Sequence, residues 1–302
     1  MVDTARALAL GGARHLTSML PWFGHWLKGY AEFVESARAA GYQFRSMEAL
    51  RDGAPERSIL MRYDIHLRDL PPALGFVEAN RLLGVEAEFH LPLGYSRQYV
   101  AARADFETLA SWFSPVSRAA LHAASFESHL LWTHFDGDEF AFTRWTRTPE
   151  AAAFASDLAA GRDTAYGNLA TLMGKAEETF ARQAGEFKAA FPDAVSCSGH
   201  GGALNGRLAG LSATEDGAAY LHALMGSRQF ITKARAEKAG FIGESYEASL
   251  RFGMDYVSDR PDGPFTDELQ ATIDAGRSAV IVIHPALVQR GHYAFEPVHA
   301  RQ

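Results

Sequence analysis

The 302-residue sequence is poor in cysteine and has no long apolar run. Its single cysteine, Cys197, cannot form an internal disulfide, so the fold does not depend on an oxidising compartment. No stretch reaches the roughly 18–20 apolar residues of a membrane span, and the opening segment lacks the basic start and clean apolar run of a signal peptide. We therefore expect a cytoplasmic protein without a membrane span.

The sequence also lacks an excess of basic residues. It carries 36 acidic and 29 basic residues, a formal net charge of -7, and the two signs are mixed along the whole length. A nucleic acid would require a concentrated basic face to offset the repulsion between the two polyanions. We therefore expect no nucleic-acid partner.

No linker and no internal repeat divides the chain, because proline and glycine are scattered and no period of 20–50 residues is visible. We predict a single catalytic domain over residues 1–302, with a helical N-terminal extension over 1–40 and a barrel over 41–302. The apolar residues from Leu16 to Leu27 predict a helix that packs on the body of the protein or on a second subunit. Oligomerisation through this helix is therefore one of two possible interpretations, and packing on the same chain is the other.

Short apolar runs alternate with helical stretches after residue 30. The predicted strands are SILMRYDIH, VEAEFHLP, DAVSCSGHGG, GFIGES and SAVIVIHP. The predicted helices cover 30–40, 70–84, 106–113, 164–191, 213–225 and 266–275. This alternation is typical of an α/β fold with a mostly parallel sheet, in which the chemistry lies at the carboxyl ends of the strands.

Three of these strands end in polar residues that suit catalysis. Asp64 and His66 are two residues apart, so in a strand both would point to one face and reach one metal ion or water; a hydrogen-bonded strand end is the alternative. Arg62 lies beside them and could tether Asp64 by charge. His284 directly follows the apolar run VIVI, where it could act as a general acid, orient one, or cap the strand.

Further histidines are candidate ligands. His129 and His134 lie in FESHLLWTHFDGDEF, and imidazole nitrogens suit zinc; a solvated acidic loop beside a core histidine is the alternative. Their spacing of five requires a strand or loop rather than one helix face. His200 lies in the glycine-rich SGHGG, where a substrate could approach the backbone closely, although a surface turn would use the same residues.

The ordered set of motifs resembles the polysaccharide deacetylase superfamily, also called the NodB-homology or carbohydrate esterase family 4 group. The resemblance is carried by AAGYQF, by SILMRYDIHLRDLPPALGFVEANRLLGVEAEFHLP, by SCSGHGG, by GFIGESYEASLRFGMDYVSD and by VIVIHP, and it runs from about Tyr30 to about Tyr293. Two departures stand out. His66 replaces the second acidic residue of the usual pair, and the H-x-x-x-H metal pair is not present in that spacing.

The resemblance implies a distorted (β/α) barrel of about seven parallel strands that binds one zinc or similar divalent ion. It implies that Asp64 is the catalytic base and His284 the catalytic acid, with metal ligands drawn from His66, His129 and His134. Substrate-binding roles would fall to Arg62, His200 and Glu244.

The activity expected from the resemblance is metal-dependent hydrolysis, in the form of deacetylation of an acetamide or ester on a sugar or small acylated metabolite. Two alternatives stay open. One is a non-catalytic binding protein with a decayed deacetylase site, and the other is a metal-dependent hydrolase or lyase that cleaves another C–N or C–O bond.

Overall fold

The structure is a computed structural model that describes residues 23–94, 96–123, 133–199, 233–259, 265–289 and 295. Its strands are β1 (Gln43–Phe44), β2 (Ser58–Asp64), β3 (Ala87–Leu91), β4 (Ser117–Ala123), β5 (Ser196–Gly199), β6 (Gly243–Glu244), β7 (Asp255–Ser258) and β8 (Ala279–Ile283). Its α-helices are α1 (Phe23–Ala39), α2 (Leu70–Leu83), α3 (Arg97–Ala101), α4 (Arg103–Ser111), α5 (Glu139–Trp145), α6 (Pro149–Ala159), α7 (Leu169–Ala190), α8 (Lys233–Lys238), α9 (Ser245–Phe252), α10 (Phe265–Asp274) and α11 (Pro285–Gln289). A short 3₁₀ helix covers Leu67–Asp69.

The strands follow the order β6-β5-β4-β3-β2-β8-β7, and β1 pairs with β2. The pairs β1–β2, β2–β3, β2–β8, β4–β5, β5–β6 and β7–β8 are all parallel. This is the cyclic strand order of a (β/α) barrel, with β6 and β7 as the two end strands of the described path. The predicted fold class, a distorted α/β barrel with about seven parallel strands and an N-terminal helix, is confirmed.

The described chain groups into two compact units, each built from separate segments. The first comprises the described residues of Met1–His90, Glu107–Ala119 and Ala248–Gln302, and the second those of Leu91–Phe106 and Ala120–Glu247. Helix α1 belongs to the first unit. The division into a helical extension and one catalytic barrel at residue 40 stays a prediction.

The core of the first unit is formed around β2, β3 and β8, in which every residue is buried. The apolar sequence of β8, AVIVI, suits a strand covered on both faces, as central parallel strands are. The register pairs Tyr63 of β2 with Ile283 of β8 and with Phe89 of β3. The carboxyl ends of these strands therefore lie side by side.

Helix α1 packs on this core through aromatic side chains. The ring centroid of Trp26 lies 4.1 Å from that of Phe76 in α2, and Tyr30 lies 4.9 Å from Phe295. The Tyr30 hydroxyl also donates a hydrogen bond of 2.6 Å to Asn80 Oδ1. These contacts make α1 part of the first unit's core.

The second unit is built on β4, β5 and β6, with Cys197 of β5 paired with Leu121 on one side and with Glu244 on the other. Its long helix α7 begins after Asn168, whose side chain accepts a hydrogen bond from the Thr171 backbone N–H. Among the described residues, none of the helices combines the length and apolarity that a membrane crossing needs.

The element boundaries differ from the predicted ones where polar residues end a strand or form a turn. The strand predicted over SILMRYDIH ends at Asp64, before His66, and the predicted helix 164–191 begins only at Leu169, after a turn closed by hydrogen bonds between Thr164 and Gly167. The predicted helix over 213–225 lies outside the described residues.

Candidate functional site

Strand β2 carries a buried ion pair at its carboxyl end. Arg62 and Asp64 are alternate residues and share one face of the strand, and the Arg62 guanidinium donates two hydrogen bonds to the carboxylate, Nε to Oδ1 at 2.6 Å and Nη2 to Oδ2 at 2.7 Å. Their side chains are only 3% and 7% exposed. Arg62 Nη1 also lies 3.2 Å from the Tyr256 hydroxyl. The predicted tether between Arg62 and Asp64 is therefore present as a bidentate pair.

His284 directly follows β8, the neighbour of β2, so the parallel register brings it to Asp64. The distance from His284 Nε2 to Asp64 Oδ2 is 3.9 Å. A small shift of either side chain, or one bridging water or substrate atom, would connect the two groups. The two residues predicted to be the catalytic base and acid therefore lie next to each other.

A second carboxylate fixes the His284 ring from the other side. Asp259, buried just after β7, lies with Oδ1 2.6 Å from His284 Nδ1, and its Oδ2 accepts a 2.6 Å hydrogen bond from the His284 backbone N–H. Because a carboxylate only accepts, Nδ1 carries the hydrogen and Nε2 is the nitrogen that faces Asp64. Burial lowers the pKa of His284, but the Asp259 hydrogen bond and the surrounding carboxylates together raise it above the ordinary 6.5.

His66 has a carboxylate partner of its own. It lies two residues beyond the end of β2, in extended backbone with φ of -103° and ψ of 176°, directly before the 3₁₀ helix. Oδ2 of the fully buried Asp69 accepts a 2.9 Å hydrogen bond from the His66 backbone N–H and lies 3.1 Å from His66 Nδ1. Burial raises the pKa of Asp69, but the contacts with His66 and with the Ala286 backbone outweigh this and lower it.

The two imidazoles stack on each other. The ring centroids of His66 and His284 are 5.3 Å apart and the rings are tilted by only 20°. Each ring has Nδ1 beside a buried carboxylate, which places Nε2 on the opposite edge. The rings thus lie among the carboxylates of Asp64, Asp69 and Asp259 and beside the Arg62 guanidinium, and the three carboxylates favour the protonated form of His284.

A buried Glu88–His90 pair on β3 adjoins this arrangement. The register places Glu88 beside Arg62 and His90 beside Asp64, and the side chains of both residues are fully buried. His90 Nε2 lies 3.5 Å from Glu88 Oε2. Burial lowers the pKa of His90 despite its carboxylate neighbours, so this ring is held neutral. We interpret the pair as buried polar residues that support Arg62 and Asp64 from the neighbouring strand.

The remaining predicted site residues belong to the second unit or lie outside the described residues. Glu244 is the buried last residue of β6, in the second unit. His134 is also in the second unit, where its ring centroid lies 4.6 Å from that of Tyr166; burial, reinforced by the charge of Lys175, lowers its pKa. His129 and His200 lie outside the described residues, so their roles stay predictions.

The described residues of this site do not by themselves supply the protein ligands that the predicted zinc ion would need. Structural and catalytic zinc sites use at least three protein ligands. No group of three or more histidine, cysteine, aspartate or glutamate side chains placed to hold a metal occurs among the described residues. Both oxygens of Asp64 also accept hydrogen bonds from a cation, Arg62. The described residues alone therefore do not form a complete zinc site.

The two carboxylates that lie beside the histidine rings were not predicted from the sequence. Asp259 is the residue after β7, and its position at the carboxyl end of a short strand was the available signal. Asp69 lies three residues after His66, a spacing at which an acidic side chain can turn back to the backbone N–H where a helix begins.

Comparison with known proteins identifies no relative, since no family model, no curated protein and no solved structure matches this chain. The class defined by the fold and the site is therefore a parallel α/β protein. It has two carboxylate-bound histidines and an Arg–Asp pair at the carboxyl ends of adjacent strands.

Proposed function

We propose that this protein is a hydrolase that removes an acyl group from an amide or ester, with an acetylated sugar or small metabolite as the substrate class. The observation that carries the proposal is the line of side chains Asp259–His284–Asp64. In it a buried carboxylate orients an imidazole whose Nε2 faces a second carboxylate at 3.9 Å. Such a pair can hold a water and a leaving group between an acceptor and a donor of protons.

The electrostatics support different roles for the two groups. The raised pKa of His284 favours its protonated form, which suits a general acid. Asp64 is held by Arg62, but each carboxylate oxygen has a second lone pair, so Asp64 can still accept a hydrogen bond from water. Asp64 is thus the proposed base.

The proposed reaction balances with water as the only co-reactant. Asp64 takes a proton from a water molecule while the oxygen of that water bonds to the acyl carbon. The bond from that carbon to the leaving nitrogen or oxygen then breaks, and His284 gives that atom a proton. The products are the carboxylic acid and the free amine or alcohol, and the Asp64 proton returns to His284 through solvent.

The test is acetate release from a panel of N-acetylated amino sugars and O-acetylated esters. Asp64→Asn and His284→Gln should each lower turnover on the order of 10²–10⁴-fold. The pH–rate profile should lose its acid limb in Asp64→Asn and its basic limb in His284→Gln.

Asp52→Asn, at an exposed position of the first unit, serves as the matched control and should behave like the wild type. Metal content is measured on the same samples, with His66→Ala added: if the protein holds zinc with His66 as a ligand, this variant should have lower zinc occupancy. Undiminished acetate release by His284→Gln would overturn the proposed chemistry. A wild-type protein that binds the panel without turning it over would support the binding-protein alternative.

A further inference from the structure

Asp69 connects the two segments of chain that carry the histidines. Its Oδ2 faces the backbone N–H and Nδ1 of His66, at 2.9 and 3.1 Å, while its Oδ1 accepts a 2.7 Å hydrogen bond from the backbone N–H of Ala286. Ala286 is two residues after His284, in the first turn of α11. One side chain thus holds the turn after β2 and the turn after β8 together.

We propose that Asp69 is a positioning residue that sets the stacked arrangement of His66 and His284, an inference that rests on the proposed function of the same site. Asp69 acts through His66 Nδ1 on one ring and through the Ala286 backbone on the segment that carries the other.

A carboxylate is required at this position because all three neighbouring groups donate. An aspartate has two acceptor oxygens, whereas an asparagine has one acceptor and one donor. In Asp69→Asn the amide nitrogen would face either the His66 N–H groups or the Ala286 N–H, so one of the two connections is lost. The substitution changes the shape of the side chain very little.

The position of Asp69 in the core explains why the effect should reach both histidines. Its side chain is fully buried, so water cannot replace a lost hydrogen bond at low cost. Asp259, by contrast, bonds to the ring and backbone of His284. Replacing Asp69 and replacing Asp259 should therefore affect the two histidine rings differently.

The experiment is NMR of protein labelled with ¹⁵N in the histidine side chains, with the two rings assigned from the signals missing in His66→Gln and His284→Gln. In the wild type both rings should carry their hydrogen on Nδ1 when neutral. Asp69→Asn should shift the ring signals of both histidines, whereas Asp259→Asn should shift those of His284 more strongly than those of His66. Asp52→Asn, the exposed control, should shift neither.

Kinetics supply the second readout. Asp69→Asn should lower kcat by about 10–100-fold, the usual effect of removing a partner that orients a functional histidine, with a smaller change in KM. A positioning role predicts a larger change in kcat than in KM, because the contacts with the substrate are kept. Unchanged ring signals in a folded Asp69→Asn protein would overturn the inference.

If Asp69→Asn does not fold, the NMR measurement on the wild-type protein still tests the inference. A His66 ring that carries its hydrogen on Nε2 would contradict the Asp69 contact and overturn the inference. The NMR measurement needs no substrate, so the proposed function can fail, by lack of acetate release, while the role of Asp69 is upheld.

Discussion

At the scale of single residues, the rings of His66 and His284 each lie beside a buried carboxylate, one close in sequence and one distant. Asp259 is 25 positions before His284 in sequence and reaches it because β7 and β8 are neighbours. Asp69 is local to His66 and joins the His284 segment only through Ala286. The His284 imidazole is therefore oriented by a contact between neighbouring strand ends, and the His66 imidazole by a local contact.

The raised pKa of His284 makes a prediction about stability. The folded protein holds the His284 proton more strongly than the unfolded chain, so this contribution is fully present below the ordinary pKa of 6.5. It is lost as pH rises through the folded value. In Asp259→Asn the largest raising influence is removed, and burial should then bring the pKa of His284 down.

We therefore expect Asp259→Asn to be less stable than the wild type mainly at the acidic side, with the difference shrinking as pH rises above 6.5. Urea unfolding between about pH 5.5 and 9, together with NMR titration of the His284 ring, measures both effects. A difference in stability that does not vary with pH would contradict this account.

At the scale of elements, the strand most directly recognised from sequence was β8, an uninterrupted apolar run. AVIVI of β8 can only be a buried segment, and its position before His284 placed that residue correctly. Strand β4, SRAALHA, was missed because Arg118 and His122 interrupt its apolar pattern and alanine favours helices. The Asp64–His284 contact was predictable from adjacent strand ends, but the Asp259–His284 and Asp69–Ala286 contacts depend on turns whose geometry no periodicity reveals.

Two glycines in helical segments should respond in opposite ways to the same substitution. Gly84 ends α2 with φ of 63°, a left-handed conformation that costs a residue with a side chain about 1–2 kcal/mol. Gly174 lies inside α7, and a methyl group added there would meet nothing within 4 Å. Gly84→Ala should therefore destabilise the protein by about 1 kcal/mol, and Gly174→Ala should stabilise it by about 0.5–1 kcal/mol.

Each glycine variant is the control for the other, because both add one methyl group to a helical segment. The free energy of unfolding from urea titration measures the two changes. Effects of the same sign would show that backbone conformation does not decide the outcome at these positions.

At the scale of the whole molecule, the alternation of strands and helices was enough to predict the α/β class. It did not predict two compact units, because each is assembled from segments far apart in sequence. Which distant segments join is decided by side-chain packing between them, and a single sequence read along its length does not display such pairings.

The first unit should not form without the final segment of the chain. Residues after Glu247 supply β7 and β8, and β8 pairs with β2 along Ile59–Tyr63, where every side chain is buried. A chain ending at Glu247 would leave one edge of β2 unpaired and its apolar residues exposed, a loss that a marginally stable fold does not tolerate.

We expect the β2 amides of this truncated chain to exchange with deuterium within seconds, as in an unfolded segment. Full-length His284→Gln is the control, since the truncation also removes His284, and its β2 amides should stay protected for as long as those of the wild type. Hydrogen exchange followed by mass spectrometry on the β2 peptide compares the three proteins, and wild-type protection of β2 in the truncated chain would show that β8 is not required for the first unit.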